Sequence, residues 1–383
     1  MKVLILSIST GQGHHSTAEA IEKEFLKMGA DCKIVDAYGY IEPRLKTMVS
    51  KAYTLATYTK KVSSIAYGIS VRKTWLASKY SMPKVTNSFL ARELRKCIEE
   101  EKADIVISTH IFAATMINIL IEKKRIHAIT VGIITDFTLH PFWEETRLLD
   151  YYVTPSELLE YQLNVKGIDL KKNLPFGIPI KEKFNNRMPK EEARKILNLD
   201  PEKFTILLMS GSMGYGKIDK SIEELDKLPF DFQSIVVCGT NKRQYNKVKA
   251  FPNKKRLDLY GYVDNVDIMM EAADVIISKP GGITTSEALA KDLPMIMANP
   301  IPGHEERNAE FFLNNGLGML VTKTLPLDEA IYYLYRSPNR LKNLKKNIAS
   351  FKKENPTEKL CKFLAGQVDK RAETKRRKPT NIK

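Results

Sequence analysis

Residues 275–287 read VIISKPGGITTSE and predict a strand, a tight turn and the start of a helix. The segment 275–278 is short, apolar and β-branched, as in a buried strand. Pro280, Gly281 and Gly282 predict the turn, and the hydroxyl-rich segment after them predicts the helix. The first N–H groups of a helix are unpaired, so this loop suits a phosphate group. An ordinary capped helix start without a ligand is the alternative interpretation.

The same strand–turn–helix unit recurs on both sides of this stretch. The C-terminal half predicts strands at 205–209, 234–238, 257–260, 275–278, 295–298 and 318–321. The N-terminal half predicts strands at 2–8, 33–35, 105–108, 128–134 and 151–154. Strands that alternate with helices form a parallel sheet with helices on both faces. The sequence therefore predicts an α/β fold with two doubly wound, Rossmann-like domains in tandem.

A short segment rich in proline and glycine separates the two predicted domains. Residues 174–180 read LPFGIPI and are interpreted as a linker, so the N-terminal domain covers residues 1–173. The C-terminal domain starts at residue 181. In open α/β sheets ligands bind beyond the carboxyl ends of the strands, and we expect the two domains to face a central cleft with those ends. Functional residues are therefore sought directly after each strand.

Length and composition exclude several classes of protein. With 383 residues, 43% of them hydrophobic and 28% charged, the chain is long enough for two globular domains. No run approaches about 18 consecutive apolar residues, so no transmembrane helix is predicted. The apolar run 3–8 leads into glycines, which argues against a signal peptide. The four cysteines form no CxxC pair, which argues against a disulfide scaffold or a cysteine zinc site and fits a reducing cytoplasm.

The net charge of +16 is concentrated in two segments. Residues 43–97 hold 12 Lys and Arg against one acid, interleaved with aromatic and aliphatic residues such as Tyr53 and Trp75. This composition is typical of a segment that lies on an anionic bilayer. A solvated basic face and a nucleic-acid groove are the second and third interpretations. Residues 366–383 hold seven basic residues against two acids and predict a disordered tail.

Two glycine-rich loops follow predicted strands. Gly11 and Gly13 precede His14, whose imidazole suits proton transfer near neutral pH; a turn with a surface histidine is the alternative. The loop 210–217 reads SGSMGYGK and imitates a P-loop. However, Ile218 stands where a P-loop needs Ser or Thr to hold magnesium. We therefore expect this loop to cradle a diphosphate without a metal.

Two more loops carry polar side chains. Asp136 and His140 follow the predicted strand at 128–134 and would approach the cleft from the N-terminal domain. His110 is a third candidate there, with a core or loop role as the alternative. His304 and Glu305 follow a Pro-Gly turn and suit hydrogen bonds to sugar hydroxyls, although alone they would be interpreted as a polar loop.

Together these motifs resemble the lipid-acceptor glycosyltransferases of family 28, above all the branch of monogalactosyldiacylglycerol synthase and diacylglycerol glucosyltransferase. Peptidoglycan GlcNAc transferases are more distantly similar. The resemblance covers about residues 1–365 and rests on Gly11-Gln12-Gly13-His14, Thr135-Asp136 with His140, Gly211-Ser212-Met213-Gly214, Pro280-Gly281-Gly282 with Glu287, and Pro302-Gly303-His304-Glu305 with Asn308. It implies a GT-B fold, a UDP-sugar donor, inversion at the anomeric carbon and no metal or other cofactor.

The resemblance also implies a role for each motif. His14 would be the general base, and Asp136 would orient His14 or be the base itself. The donor would be held by Gly11 and Gly13, and its diphosphate by Gly211, Ser212, Met213, Gly214, Gly281, Gly282, Thr284, Thr285 and Ser286. Glu287 would bind the ribose and Val263 the uracil. The side chains facing the sugar would be His304, Glu305 and Asn308.

In the resembling enzymes the N-terminal domain docks on the bilayer, which implies the same for residues 43–97, with the tail as a second membrane signal. The C-terminal domain would end at residue 340, and helices over 341–365 would pack back on the N-terminal domain. The expected protein is a peripheral enzyme on the cytoplasmic face of the membrane that moves a hexose from a UDP-sugar to diacylglycerol and binds no nucleic acid. The alternatives are a UDP-GlcNAc or other UDP-sugar transferase acting on a polyprenyl-diphosphate lipid, a UDP-GlcNAc epimerase-type protein, and a catalytically silent UDP-sugar sensor.

Overall fold

The computed structural model describes residues 1–8, 12–42, 44, 47, 82–209, 211 and 217–377. The chain divides into two compact units: unit 1 comprises Met1–Lys181 and Lys353–Lys383, and unit 2 comprises Glu182–Lys352. The boundary between the units thus lies directly after residue 181, just beyond the predicted linker 174–180 and not within it. Most of the basic segment 43–97 lies outside the described residues, as do the last six residues of the tail.

Unit 1 is built on six parallel strands in the order β2-β1-β3-β4-β5-β6. Its elements are β1 (Lys2–Ser7), α1 (Gln12–Lys27), β2 (Asp31–Asp36), α2 (Ala37–Ile41), α3 (Met82–Glu101), β3 (Ile105–Ser108), α4 (Ile111–Glu122), β4 (Ile129–Ile133), β5 (Tyr151–Val153), α5 (Glu160–Val165) and β6 (Asn173–Leu174). Short 3-10 turns lie at Pro141–Thr146, Glu157–Leu159 and Leu170–Lys172. Strands β3 and β4 are buried along their whole length, as expected for the continuous apolar runs of a parallel sheet.

Unit 2 repeats the architecture, with six parallel strands in the order β12-β11-β10-β7-β8-β9. Its elements are a 3-10 turn (Glu182–Phe184), α6 (Lys190–Ile196), β7 (Thr205–Met209), α7 (Ile218–Leu225), β8 (Gln233–Val237), α8 (Lys242–Lys249), β9 (Arg256–Tyr260), α9 (Val266–Ala272), β10 (Val275–Ser278), α10 (Gly282–Ala290), β11 (Met295–Met297), α11 (His304–Asn314), β12 (Gly318–Leu320), α12 (Leu327–Arg336) and α13 (Pro338–Phe351). The two parallel sheets confirm the predicted α/β fold with two doubly wound units.

The last helix, α14 (Pro356–Arg377), belongs to unit 1. Its residues Leu360, Cys361 and Leu364 are fully buried in the same core cluster as Ile21 and Phe25 of α1. Helix α13 belongs to unit 2 instead, where its Leu344 joins the core. The helical segment 341–365 was expected to pack on the N-terminal domain as a whole. It is divided between the two units instead.

The segment 366–377 differs from the predicted disordered tail because α14 continues through it to Arg377. Val368 packs against the core of unit 1. Lys, Arg, Glu, Gln and Ala all have high helix propensity, and these residue types fill most of the segment. A helix already anchored by buried leucines is therefore extended at little cost.

Candidate active site

The carboxyl ends of the unit 1 strands meet at one edge of the sheet, because all six strands are parallel. His14 lies in the first turn of α1, which follows β1. Thr109 and Thr135 follow β3 and β4, the next two strands across the sheet. Three segments that are far apart in the sequence thus bring polar side chains to one place. Of the two glycines predicted beside His14, Gly13 lies in α1 and Gly11 lies outside the described residues.

The hydrogen bonds of His14 define which of its nitrogens carries the proton. Its Nδ1 lies 2.7 Å from the Thr109 carbonyl oxygen and 3.2 Å from the Thr135 hydroxyl. A carbonyl only accepts, so Nδ1 must be protonated to make the shorter bond. In the neutral ring this leaves the lone pair on Nε2, which is therefore able to accept a proton. His14 itself is half-buried.

A second histidine packs against His14. The rings of His110 and His14 lie edge to face with centroids 4.5 Å apart. His110 caps α4, where its Nδ1 accepts a hydrogen bond from the Phe112 amide at 3.2 Å. Burial lowers the pKa of His110 well below its usual 6.5, and the neighbouring His14 and His140 lower it further. His110 is therefore neutral near pH 7, and this limits the positive charge beside His14.

Asp136 and His140 both follow β4, as predicted, and both are half-buried. His140 caps the 3-10 turn Pro141–Thr146, and its Nδ1 accepts from the Phe142 amide at 3.3 Å. The Phe142 ring contacts His140 and, at 6.1 Å between centroids, Phe112. The rings of Phe112 and Phe142 therefore form an aromatic surface that contacts His110 and His140.

In unit 2, residues 275–287 form β10, the turn after it and the start of α10. Gly281 is the N-cap residue of α10, and Gly282 is its buried first residue. The Thr285 hydroxyl donates to the carbonyls of Gly281 (2.8 Å) and Gly282 (2.9 Å), and the Ser286 hydroxyl donates to Gly282 (2.7 Å). The first turn of α10 thus uses these hydroxyls to stabilise itself.

Thr285 is fully buried and its hydroxyl is engaged within this turn; its predicted contact with a diphosphate stays a prediction. Thr284 and Ser286 are half-buried, and Glu287 is 9% exposed. The other predicted diphosphate loop is described only at Gly211, which has a left-handed φ of 71°. Its remaining predicted residues, Ser212, Met213 and Gly214, lie outside the described residues. Val263 is half-buried in the loop before α9.

The loop after β11 is held by its acidic residues. Glu305 is buried, and its Oε2 accepts from the Ile301 amide at 2.6 Å. Its Oε1 lies 3.6 Å from the Lys279 ammonium, which follows β10. Glu306 accepts from the Gly303 amide at 3.0 Å, and Gly303 has a φ of 100°, which favours glycine. These bonds fix His304, which is half-buried, at the start of α11.

Asn308 stabilises the turn between β10 and α10. It is fully buried, and its amide donates to the Pro280 carbonyl at 3.0 Å. Asn308 thus supports the turn, and its predicted contact with the sugar stays a prediction. Glu305 is likewise mostly buried, with both oxygens engaged inside the protein.

Three groups at these edges had no predicted role: Thr109, Lys279 and Thr135, the last named only as part of a motif. Thr109 and Thr135 orient His14 through bonds that span 95 and 121 residues of sequence, and no local pattern reveals them. Lys279 was overlooked although it stands in the quoted stretch directly after β10. It lines a small crevice with Lys217 and Asn299 at the carboxyl edge of unit 2. Lys217 therefore adds a cation to the crevice beside the Lys279–Glu305 pair.

Metal-ligand groups and membrane-spanning helices are both absent from the part of the chain that the structure describes. The described residues contain no group of three or more His, Cys, Asp and Glu side chains arranged to hold a metal ion. Within the same residues, no helix combines the length and hydropathy that crossing a bilayer requires.

Two family models match the chain. Residues 14–180 match the model of monogalactosyldiacylglycerol (MGDG) synthase, and residues 205–360 match that of the glycosyltransferase family 28 C-terminal domain. Processive diacylglycerol beta-glucosyltransferases are among the similar curated proteins. That of Bacillus licheniformis is 29% identical over 93% of this chain and 92% of that protein, and that of Staphylococcus carnosus is 27% identical over 96% and 93%.

Solved structures with the same fold include MurG of Acinetobacter baumannii, with a TM-score of 0.62 and 12% identity over 95% of this chain and 99% of that one. The glycotransferase of kitacinnamycin has a TM-score of 0.61 and 13% identity over 96% and 99%. These likenesses confirm the predicted GT-B fold, and the family matches confirm the predicted resemblance. The chain therefore belongs to glycosyltransferase family 28, in the branch of the monogalactosyldiacylglycerol synthases and processive diacylglycerol glucosyltransferases, and is a glycosyltransferase.

Proposed function

We propose that this enzyme moves a hexose from a UDP-sugar to diacylglycerol, with inversion, at the surface of a membrane. The observation that carries the proposal is the arrangement of His14, whose Nδ1–H is held by the Thr109 carbonyl and whose Nε2 is left as the basic nitrogen. A hydroxyl acceptor needs such a base, and the curated relatives are named for this reaction.

In the proposed reaction the acceptor hydroxyl oxygen attacks the anomeric carbon. The bond from that carbon to the UDP oxygen breaks, and UDP leaves with the electron pair. Nε2 of His14 takes the acceptor proton as the new bond forms, and the Thr109 carbonyl stabilises the resulting imidazolium through Nδ1–H. Asp136 keeps its two predicted roles, as a second positioning group or as the base itself.

We propose that unit 2 binds the donor. The N-terminus of α10 and the Lys279 ammonium favour the negative charge of a diphosphate, and that charge grows as UDP departs. Glu287 is assigned to the ribose and Val263 to the uracil, while His304 is assigned to the sugar. The backbone amides of the first turn of α10, from Gly282 to Thr284, would contact the phosphates, because the Gly281 amide donates to the Lys279 carbonyl within the turn.

We assign membrane docking to the basic segment 43–97, because diacylglycerol stays in the bilayer. Twelve cations against one acid favour an anionic surface, and each contributes about 1 kcal/mol close to it. The peripheral location on the cytoplasmic face belongs to this proposal. Turnover without a bound metal is also part of this proposal, because cationic side chains already lie at the proposed donor site.

The test is UDP release from UDP-glucose and, separately, from UDP-galactose, with EDTA present. Each donor is incubated with anionic vesicles that contain or lack diacylglycerol, and the lipid extract is analysed by mass spectrometry. We expect release that depends on diacylglycerol and a hexosyl-diacylglycerol product. Vesicle binding without turnover of either donor would contradict the proposed acceptor and donor, and would favour a UDP-GlcNAc donor or a polyprenyl-diphosphate acceptor.

A further inference from the structure

A crevice of about 520 Å³ opens at the amino edge of the unit 1 sheet, where β3 and β4 begin. Its volume lies within the range of small-molecule sites, about 300–1,000 Å³. One wall is the last turn of α3, and another is formed by Val368, Arg371 and Ala372 of α14. His14 lies at the opposite, carboxyl edge of the same sheet, so the crevice is separate from the candidate active site.

Three cations line this crevice without ion-pair partners. Lys102, Lys124 and Arg125 are exposed, and no carboxylate among the described residues pairs with them. A fourth cation, Arg371, is partly engaged: its guanidinium donates to Asp150 and to the His127 carbonyl, both at 3.3 Å.

The two acids that line the crevice are engaged elsewhere. Glu99 accepts a hydrogen bond from Arg95 on the same helix at 2.7 Å. Asp104 accepts from the backbone amide of Lys2 at 2.8 Å, which ties it to β1. Glu99 is therefore neutralised by Arg95, whereas the hydrogen bond from a neutral amide leaves the charge of Asp104 in place beside the cations.

The ends of two helices also contribute to the local charge. Helices α3 and α4 end beside the crevice, and Lys102 and Lys124 follow their last turns. Each helix C-terminus carries about half a negative charge, so the two together offset about one cation. With the charge of Asp104 also subtracted, about one positive charge of the three cations remains unmatched among the described residues.

Apart from His127, the rest of the lining is apolar. Ile98, Ile126, Ile129 and Val368 line the crevice between the cations. Such a lining of apolar side chains with a few converging charges is typical of a small-molecule site.

We propose that this crevice binds a phosphate-bearing ligand, with the phosphate held by Lys102, Lys124 and Arg125. A phosphate group carries the negative charge that matches the remaining positive charge of the crevice, and it accepts hydrogen bonds from several cations at once. The phosphate group could belong to a free metabolite or to a lipid headgroup, and the experiment distinguishes these sources. The proposal does not depend on the transferase activity.

The test measures binding of inorganic pyrophosphate by calorimetry at constant ionic strength, with saturating UDP present to occupy the donor site. The test variant is Lys124→Gln with Arg125→Gln, and the matched control is Lys123→Gln, an exposed neighbour that does not line the crevice. We expect the affinity of the double variant to fall at least fivefold and that of the control to stay at the wild-type value. A second arm uses phosphatidylcholine vesicles with and without phosphatidic acid.

A loss confined to the double variant in the first arm identifies a free phosphate, and a loss confined to it in the vesicle arm identifies a headgroup. Equal binding by all three proteins in both arms, or no binding at all, would overturn the proposal. Because the mutated side chains are exposed, circular dichroism is expected to show wild-type folding. If UDP fails to bind, the proposed transferase function is in doubt, while the comparison between double variant and control still decides on the crevice.

Discussion

At the residue scale, His14 has a neighbour that allows a closely matched test. His15 is exposed and pairs with Glu19 at 3.4 Å on the same helix, away from Thr109. We expect His14→Ala to lower kcat by a factor of about 10² to 10⁴, the usual contribution of a general base. His15→Ala should retain wild-type kcat. Initial rates of UDP release at saturating donor measure both, and full turnover by His14→Ala would refute the assignment of the base.

His110 predicts how the stability of the protein depends on pH. Its pKa in the folded state lies well below 6.5, so below pH 6.5 the unfolded chain binds a proton that the folded chain does not. Stability should therefore fall as the pH is lowered from 6.5, by up to about 1.4 kcal/mol per pH unit. His110→Asn retains an N-cap for α4 but does not titrate, so its stability should fall less steeply. Denaturant unfolding at pH 5 to 8 compares the two; parallel curves would contradict the prediction.

Single residues were predictable from the sequence where local order decides them. His14, Asp136 and His140 follow strands, and each lies at the carboxyl edge as predicted. For Asn308 and Thr285 the sequence did not reveal that the side chains are buried. A sequence motif fixes the residue type and the turn; it does not fix which way a side chain points, because packing of the folded turn decides that.

At the element scale, the turn after β10 and the turn after β11 share one buried ion pair. Glu305→Gln keeps a carbonyl-type acceptor for the Ile301 amide but removes the charge beside Lys279. We expect a loss of stability of about 1–3 kcal/mol, because the partly buried Lys279 ammonium loses the charged carboxylate beside it. Glu306→Gln makes the same chemical change on an exposed neighbour and still caps α11, so it should be nearly neutral. Thermal unfolding of both variants measures this; equal effects would show that the ion pair contributes nothing.

Elements were predictable wherever apolar runs or periodicity marked them. Strands β3, β7 and β10 have the bounds that the sequence predicts. Helix α14 was predicted only to about residue 365 because the sequence beyond it carries mainly charge. The burial of Leu360 and Leu364 against α1 is a contact over more than 300 residues of sequence, and no local pattern encodes it. Because of this long-range contact, α14 belongs to unit 1, whereas α13, which precedes it in the sequence, belongs to unit 2.

At the scale of the whole molecule, the charge distribution predicts how the protein meets a membrane. Outside the segment 43–97 and the tail the basic and acidic residues balance, so attraction to an anionic bilayer should depend on those two segments. Such attraction is screened by salt: the Debye length falls from about 10 Å at 0.1 M to about 3 Å at 1 M. Binding to anionic vesicles should therefore weaken steeply over this range, while binding to neutral vesicles should stay low throughout.

Two pairs of lysines that are adjacent in the sequence make it possible to test whether the segment 43–97 itself causes this binding. Lys60→Gln with Lys61→Gln removes two cations from 43–97, and Lys254→Gln with Lys255→Gln removes two adjacent cations from unit 2. At about 1 kcal/mol for each cation at the surface, the first pair should weaken vesicle binding about thirtyfold. The second pair leaves the net charge equally reduced but the basic segment intact, so its binding should stay close to wild type. Vesicle flotation at low salt measures both. Equal losses would mean that net charge alone drives binding, and the docking role of the segment would have to be abandoned.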